Sequence, residues 1–245
     1  MSLALKEIQV RYRQALLGAA WALLQPVALM VVTTLVFNRM LAVSSGRVPY
    51  PLFVFAALVP WTTFHTAVTG AVPSLVSNAD LVRKIWFPRE ALPLGHVLAV
   101  LLDLAIGLGL LIVLAVADGR LPSFAWLALP LLIGILLAVT AAVALLFSAI
   151  NVYFRDVKHA LPLLLQVVFF ATPIVYPLAQ VPDAWRGAFA FNPLTAVVEG
   201  VRATILEGRA PDVALTATGA AVALAFLAVS WFVFRRAERR FADVV

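Results

Sequence analysis

No cysteine occurs anywhere in this chain. Disulfides, thiolate nucleophiles and cysteine-ligated metals are therefore excluded, and the redox state of the compartment leaves no mark on the sequence. Charge is nearly as scarce. Only 12% of the residues are charged, whereas 64% are hydrophobic and the mean hydropathy is +1.03, a balance outside the range of soluble domains. There is no Gly-rich loop ending in Lys-Ser/Thr of the kind that cradles nucleotide phosphates, so ATP is not bound by that device. The three histidines, His65, His96 and His159, stand on separate stretches without a His-Glu-x-x-His spacing, which argues against metal catalysis. A Gly-x-Ser-x-Gly nucleophile elbow is missing as well.

What the chain has in abundance is apolar length. Six stretches approach the roughly 20 residues needed to cross a bilayer: about 17–40, 51–72, 91–117, 123–150, 159–177 and 212–234. The fifth is short and punctuated by Pro162, Pro173 and Pro177. The first is too long for a signal-peptide core and reads as an uncleaved span. The pattern predicts one all-α integral-membrane domain over residues 1–245, with six transmembrane helices. Ahead of them, Leu5, Ile8, Tyr12 and Leu16 recur at helical spacing while Lys6, Gln9 and Arg13 take the other face. That is the pattern of an amphipathic interfacial helix at about 4–15.

The net charge of +6 would suggest nucleic acid in a soluble protein, but the positive-inside rule explains it more simply. Twelve of the eighteen Lys and Arg fall at the N-terminus, in the second and fourth connections and in the C-terminal tail. Both termini are therefore expected in the cytoplasm, with 77–90 and 151–158 as internal loops. The first of these, SNADLVRKIWFPRE, is more than a linker. Asn78 can cap a short helix at about 78–87, Asp80 suits its first turn, and Arg83 and Lys84 suit its last. Leu81, Val82, Ile85, Trp86 and Phe87 give it more apolar surface than a solvated turn should expose. Something is expected to cover it.

On the opposite side, residues 178–211 are amphipathic and rich in turn residues. Asp183 to Ala190 has the makings of a short helix that includes Trp185. Asn192-Pro193 starts a second, in which Glu199 and Arg202 are spaced to pair. Two helices too apolar for water and too short to span suggest re-entrant helices between spans 5 and 6. Within the spans, Asp103 is the one deep ionisable residue, seven positions after His96. It is expected to face protein or water and to have a structural partner rather than to serve a proton relay. Trp61, Phe64, Phe169, Phe170 and Tyr176 lie beside prolines or span ends, where rings can line a conduit and stack on sugar faces.

Five stretches in order, KEIQVRYRQALLGAAWALLQP (6–26), NADLVRKIWFPREALP (78–93), NVYFRDVKHALPLLLQVVFFATPIVYP (151–177), NPLTAVVEGVR (192–202) and FRRAERRFADVV (234–245), resemble the permease subunits of ABC-2-type transporters that export polysaccharides. The resemblance is to the O-antigen and teichoic-acid branch in particular. It implies a homodimer in the bacterial plasma membrane, joined by two copies of a separate cytoplasmic ABC ATPase that holds ATP and Mg2+, with no cofactor in this chain. A lipid-linked glycan would move through a channel enclosed by the two permeases. The resemblance also implies that the 78–87 helix couples to the ATPase through Asn78, Asp80, Arg83, Lys84, Trp86, Phe87 and Arg89. It further implies that the N-terminal helix, with Lys6, Arg11, Tyr12 and Arg13, is an interfacial gate, and that Trp185, Asn192, Pro193, Glu199 and Arg202 shape the external end. Nucleic acid is not an expected partner. An ABC-2 exporter of drugs or lipids, and a proton-coupled transporter using Asp103, are the alternatives. A membrane-embedded glycosyltransferase fits poorly, for want of clustered carboxylates.

Overall fold

The computed structural model describes residues 21–43, 45–46, 48–84 and 87–241. The expected interfacial helix, with Lys6, Arg11, Tyr12 and Arg13, lies outside these residues, as do Ile85 and Trp86. Among the described residues every regular element is helical. Helix α1, Trp21–Thr33, continues into a π-helical turn, Thr34–Met40. It is followed by α2, Tyr50–Ala71, the single turn Ser74–Ser77, and α3, Ala79–Lys84. The third apolar run forms two helices, α4 (Ala91–Ala99) and α5 (Leu101–Ala117), which meet at Val100. The fourth begins as a 3-10 turn, Phe124–Ala128, and becomes α6, Leu129–Tyr153. Then come α7 (Val157–Phe170), α8 (Asp183–Ala190), α9 (Pro193–Val201) with a π-helical turn Arg202–Leu206, and α10 (Val213–Glu238).

Five of these segments are long and apolar enough to cross a membrane: Leu23–Met40, Tyr50–Ala71, Ala91–Ala117, Phe124–Tyr153 and Val213–Glu238. The expected fifth span is shorter than its apolar run. α7 stops at Phe170 after 14 residues, about 21 Å of helix against a hydrocarbon core of about 30 Å. Residues 171–177, with Pro173 and Pro177, continue as turns instead of helix.

α2 is the axis of the subunit. In an 18-residue apolar stretch of it 78% of the residues are buried, against 22% in the corresponding stretch of α10 and 11% in that of the first span. It packs against α1, α4, α5, α6 and α9, while α10 lies along α6 and α9. The peripheral helices carry their apolar residues outward, as Val31, Val32 and Leu35 do on the first span and Leu224, Val229 and Phe232 on α10. Asp103 falls in the first turn of α5 because the run divides at Val100. A helix N-terminus favours a carboxylate there, so the break itself helps to accommodate the charge. His96 stands in the last turn of α4, against Gly70 of α2.

Candidate functional site

Long-range side-chain hydrogen bonds gather at the two ends of this bundle. The end rich in Lys and Arg holds α3, the connection 87–90, Tyr153 and the last turns of α10. α3 is a turn and a half with Asp80 in its first turn and Arg83 and Lys84 in its last, as the sequence predicts. Asp80 and Lys84 pair at 3.1 Å on the exposed face. Asn78 behaves differently from expectation. Its amide donates backward to the Ser74 carbonyl at 2.8 Å and closes the preceding turn. Only its backbone carbonyl opens α3, accepting from Leu81 and Val82. The cover expected for the apolar face of α3 comes in large part from the chain itself. Val82 is buried, and Leu81 and Phe87 pack with it against Leu75, Leu92, Leu145, Val152, Phe234 and Phe241. The chain thus covers Leu81, Val82 and Phe87 itself, and leaves Asp80, Arg83 and Lys84 outward.

Arg89 is engaged in the same way: its guanidinium donates to the backbone carbonyl of Glu238. Beside it, Glu90 pairs with Arg235 at 2.9 Å, and Arg235 also reaches Glu238 at 3.2 Å. Phe87, Arg89, Arg235, Glu238 and Arg239 line an open recess of about 500 Å³. The sequence reading missed Glu90, Arg235 and Glu238. Their local signals were the adjacent charges Arg89-Glu90 before an apolar helix and the i,i+3 spacing of Arg235 and Glu238.

At the opposite end the organising residue is Arg202, 2% exposed. Its Nε donates to the Phe53 carbonyl at 3.1 Å, Nη1 to Pro173 O at 2.7 Å and Nη2 to Ile174 O at 2.7 Å. Nη1 also meets Glu199 Oε1 at 2.8 Å, the predicted pair, and the guanidinium carbon lies 3.5 Å from the centre of the Phe53 ring. Tyr50 adds a hydrogen bond to Val175 O at 2.7 Å. Together these ties bind the start of α2, the turns after α7 and the end of α9 into one unit. The two short helices therefore part company. α9 and its π-helical turn are buried among α2, α6 and α10, which suits a re-entrant element, whereas α8 buries none of its residues and Trp185 stands 63% exposed.

Asn192 fulfils the predicted start of α9. It accepts from Leu194 N at 3.0 Å with Pro193 at the first helical position, and its amide reaches Thr172 Oγ1 at 2.9 Å. Asn192→Ala removes the cap and the tie together. Loss of a cap alone costs about 1 kcal/mol, so a clear fall in the thermal midpoint of the detergent-purified chain is expected, with a smaller fall for Asn192→Asp, which keeps the cap acceptor but has no amide to donate to Thr172.

The aromatic residues proposed to line a conduit divide too. Trp61 and Phe64 are buried in the subunit core, and Phe169 packs edge-on to Trp61 at 5.3 Å. Phe170 stands 5.2 Å from Phe169 and remains exposed. Tyr176 donates to the Phe170 carbonyl. With Phe37, Trp185 and Phe189 it lines a groove of about 450 Å³ on the outer surface.

A bundle of apolar helices, five of its segments long enough to cross a membrane, with a basic, polar end and a short helix buried at the other end, is the architecture of a multi-pass membrane protein. Residues 1–206 match the family model described as ABC-2 type transporter, and the chain belongs to that family. Among curated proteins, it is 34% identical over 248 residues to the O-antigen export system permease protein RfbA of Myxococcus xanthus, covering 100% of this chain and 94% of the relative. It is 27% identical to the protein of the same name from Klebsiella pneumoniae, covering 83% of this chain and 78% of that one. It is also 24% identical to the polysialic acid transport protein KpsM of Escherichia coli, covering 84% and 81%.

Proposed function

We propose that this chain is the membrane permease of an ATP-driven polysaccharide exporter of the O-antigen type, and that ATP hydrolysis takes place on a separate ABC ATPase docked at the basic end. The observation that carries the reading is the end-to-end similarity to an O-antigen export permease. In this reading the basic end is cytoplasmic, the membrane is the bacterial inner membrane, and two copies of the chain with two ATPases enclose the path of a lipid-linked glycan. Because Leu81, Val82 and Phe87 already have cover within the subunit, the ATPase-facing surface contracts to Asp80, Arg83 and Lys84 together with Trp86. A large aromatic flanked by charges is a common anchor at protein interfaces.

Tagged protein co-expressed with an ABC ATPase from the same organism tests the assembly: the two should co-purify in equal numbers, and deleting the permease should strip the surface of glycan. Trp86→Ala is expected to leave the permease in the membrane at normal levels but to lower ATPase recovery, glycan export and stimulated ATP turnover by tenfold or more. Normal export with normal turnover in that variant would refute the coupling role.

A further inference from the structure

The C-terminal turns of α10 do more than anchor the last span with positive charge. Both internal connections converge on residues 234–241. From the first, Arg89 donates to the Glu238 carbonyl and Glu90 pairs with Arg235 at 2.9 Å. Where the second begins, the hydroxyl of Tyr153, the last residue of α6, donates to the Ala237 carbonyl at 3.2 Å, and its ring lies 6.2 Å from that of Phe241. Beneath these polar ties, Phe234 and Phe241 meet edge-on at 5.5 Å, both fully buried, in one cluster with Leu75, Val82, Leu145 and Val152.

Glu90 occupies a distinctive position in this array. It is the N-cap residue of α4, its carbonyl accepts from Leu94 N at 3.0 Å, and its side chain is only 12% exposed. Such a carboxylate cannot exchange its partner for water as freely as a surface one can. Its bond to Arg235 fixes the entrance of the third span to the exit of the last. α10 is then a continuous helix of 26 residues, about 39 Å long. Farther along it, Gly219 lies directly against Ala196 of α9, the buried helix that leads to Arg202. A displacement applied at α3 thus has a packed route through α10 to the opposite end.

We propose that residues 234–241 are a transmission hub, in which Glu90, Arg235 and Tyr153 are positioning residues that make the two internal connections and α10 move as one body. The proposal rests on the ATPase-coupling reading above and adds to it the path taken after docking.

The test uses the complete transporter with its ATPase. Glu90→Gln and Arg235→Gln should each retain bound ATPase and normal membrane levels, yet lose stimulated turnover and lower export at least tenfold. The exchange Glu90→Arg with Arg235→Glu should recover export to within about threefold of the parent. Tyr153→Phe, which keeps the ring, should give a smaller loss of the same kind. The natural absence of cysteine allows a direct check with spin labels at Ser77→Cys and Arg240→Cys. Their separation should be narrow and unchanged when nucleotide is trapped on the ATPase, and should broaden in Glu90→Gln. Export at parent levels in both single variants, or an exchange variant no better than the singles, overturns the hub. So does a parent distance that shifts on trapping, even if the variants fold too poorly to assay. If the parent chain retains no ATPase at all, it is the underlying coupling reading that fails.

Discussion

Arg202→Ala is expected to be the most damaging single substitution among the described residues. The change leaves three carbonyls, those of Phe53, Pro173 and Ile174, without their donor in a protein interior. Glu199 also loses its ion-pair partner. Removing one member of a buried pair costs about 3–5 kcal/mol, because what remains is an uncompensated charge. Each orphaned carbonyl adds its own desolvation cost of about 1–3 kcal/mol. Those sums approach the whole stability of an ordinary domain. The variant should therefore fail to accumulate as a monodisperse species in mild detergent, whatever its targeting to the membrane. Arg202→Lys separates charge from geometry. An ammonium supplies donors but not a planar fork, so it cannot serve three carbonyls and Glu199 at once. It should fold with a much lowered thermal midpoint. Glu199→Gln retains an acceptor for the guanidinium and should be milder than either. If Arg202→Ala purified with a parent-like midpoint, the keystone role would be excluded.

The physical reason for such a residue lies in the turns that follow α7. That helix ends at Phe170, and residues 171–177 place irregular backbone, including Pro173 and Pro177, next to apolar helices. Unpaired carbonyls are costly in such surroundings. Arg202 and Tyr50 satisfy the carbonyls of residues 173–175 from two other elements. The same bonds fix where α9 sits, so the irregular segment and the buried short helix stabilise one another.

This arrangement shows what a single sequence can and cannot convey. Local signals were readable: the apolar runs, the Asn192-Pro193 start, the spacing of Glu199 and Arg202, and the charges at the two ends of α3. Each arises from neighbours within a turn or two of helix. The partners of Arg202 were not readable, since Phe53 lies 149 residues away and the carbonyls of Pro173 and Ile174 bear no side-chain signature. For the same reason the apolar excess around α3 read as a surface awaiting another protein. Phe234, at the end of the expected sixth span, and Phe241, in what looked like a charged tail, cover part of it and come about 150 residues later. Trp61 and Phe64 show a related ambiguity, because a ring in the core and a ring facing a conduit have the same sequence neighbours. Helix ends were the other loss. Pro173 and Pro177 mark where helix cannot continue, yet the apolar run that includes them reads as one span.

The second large effect is expected at Gly219, where α10 passes α9. A Cβ added there would stand 2.5 Å from the Cβ of Ala196 and 3.6 Å from the Cα of Pro193. Ordinary carbon–carbon contacts lie at about 3.5–4.0 Å, so α9 and α10 would have to separate by about an ångström. The obstructing atom cannot rotate aside, because Ala196 ends at its Cβ, whereas Pro193 is at ordinary contact distance. Gly200 provides the comparison. A Cβ there meets Leu132 Cδ2 at 2.5 Å, Cδ1 at 2.8 Å and Cγ at 3.3 Å, all in a rotatable side chain instead of a fixed Cβ. Both glycines are helical, so replacement by Ala brings the same gain in helix propensity, about 0.5–1 kcal/mol. The difference between the two variants therefore reports packing alone. Overpacking costs about 1–3 kcal/mol, and the rigid site should take the upper part of that range. Gly219→Ala is expected to lower the thermal midpoint well below that of Gly200→Ala, and Gly219→Val should leave little folded protein. Export should fall with stability in that order, since α9 reaches Arg202 only if it stays seated against α10. A Gly200→Ala protein less stable than Gly219→Ala would show that α9 yields more readily than Leu132, and would remove α9 from the packed route between the two ends.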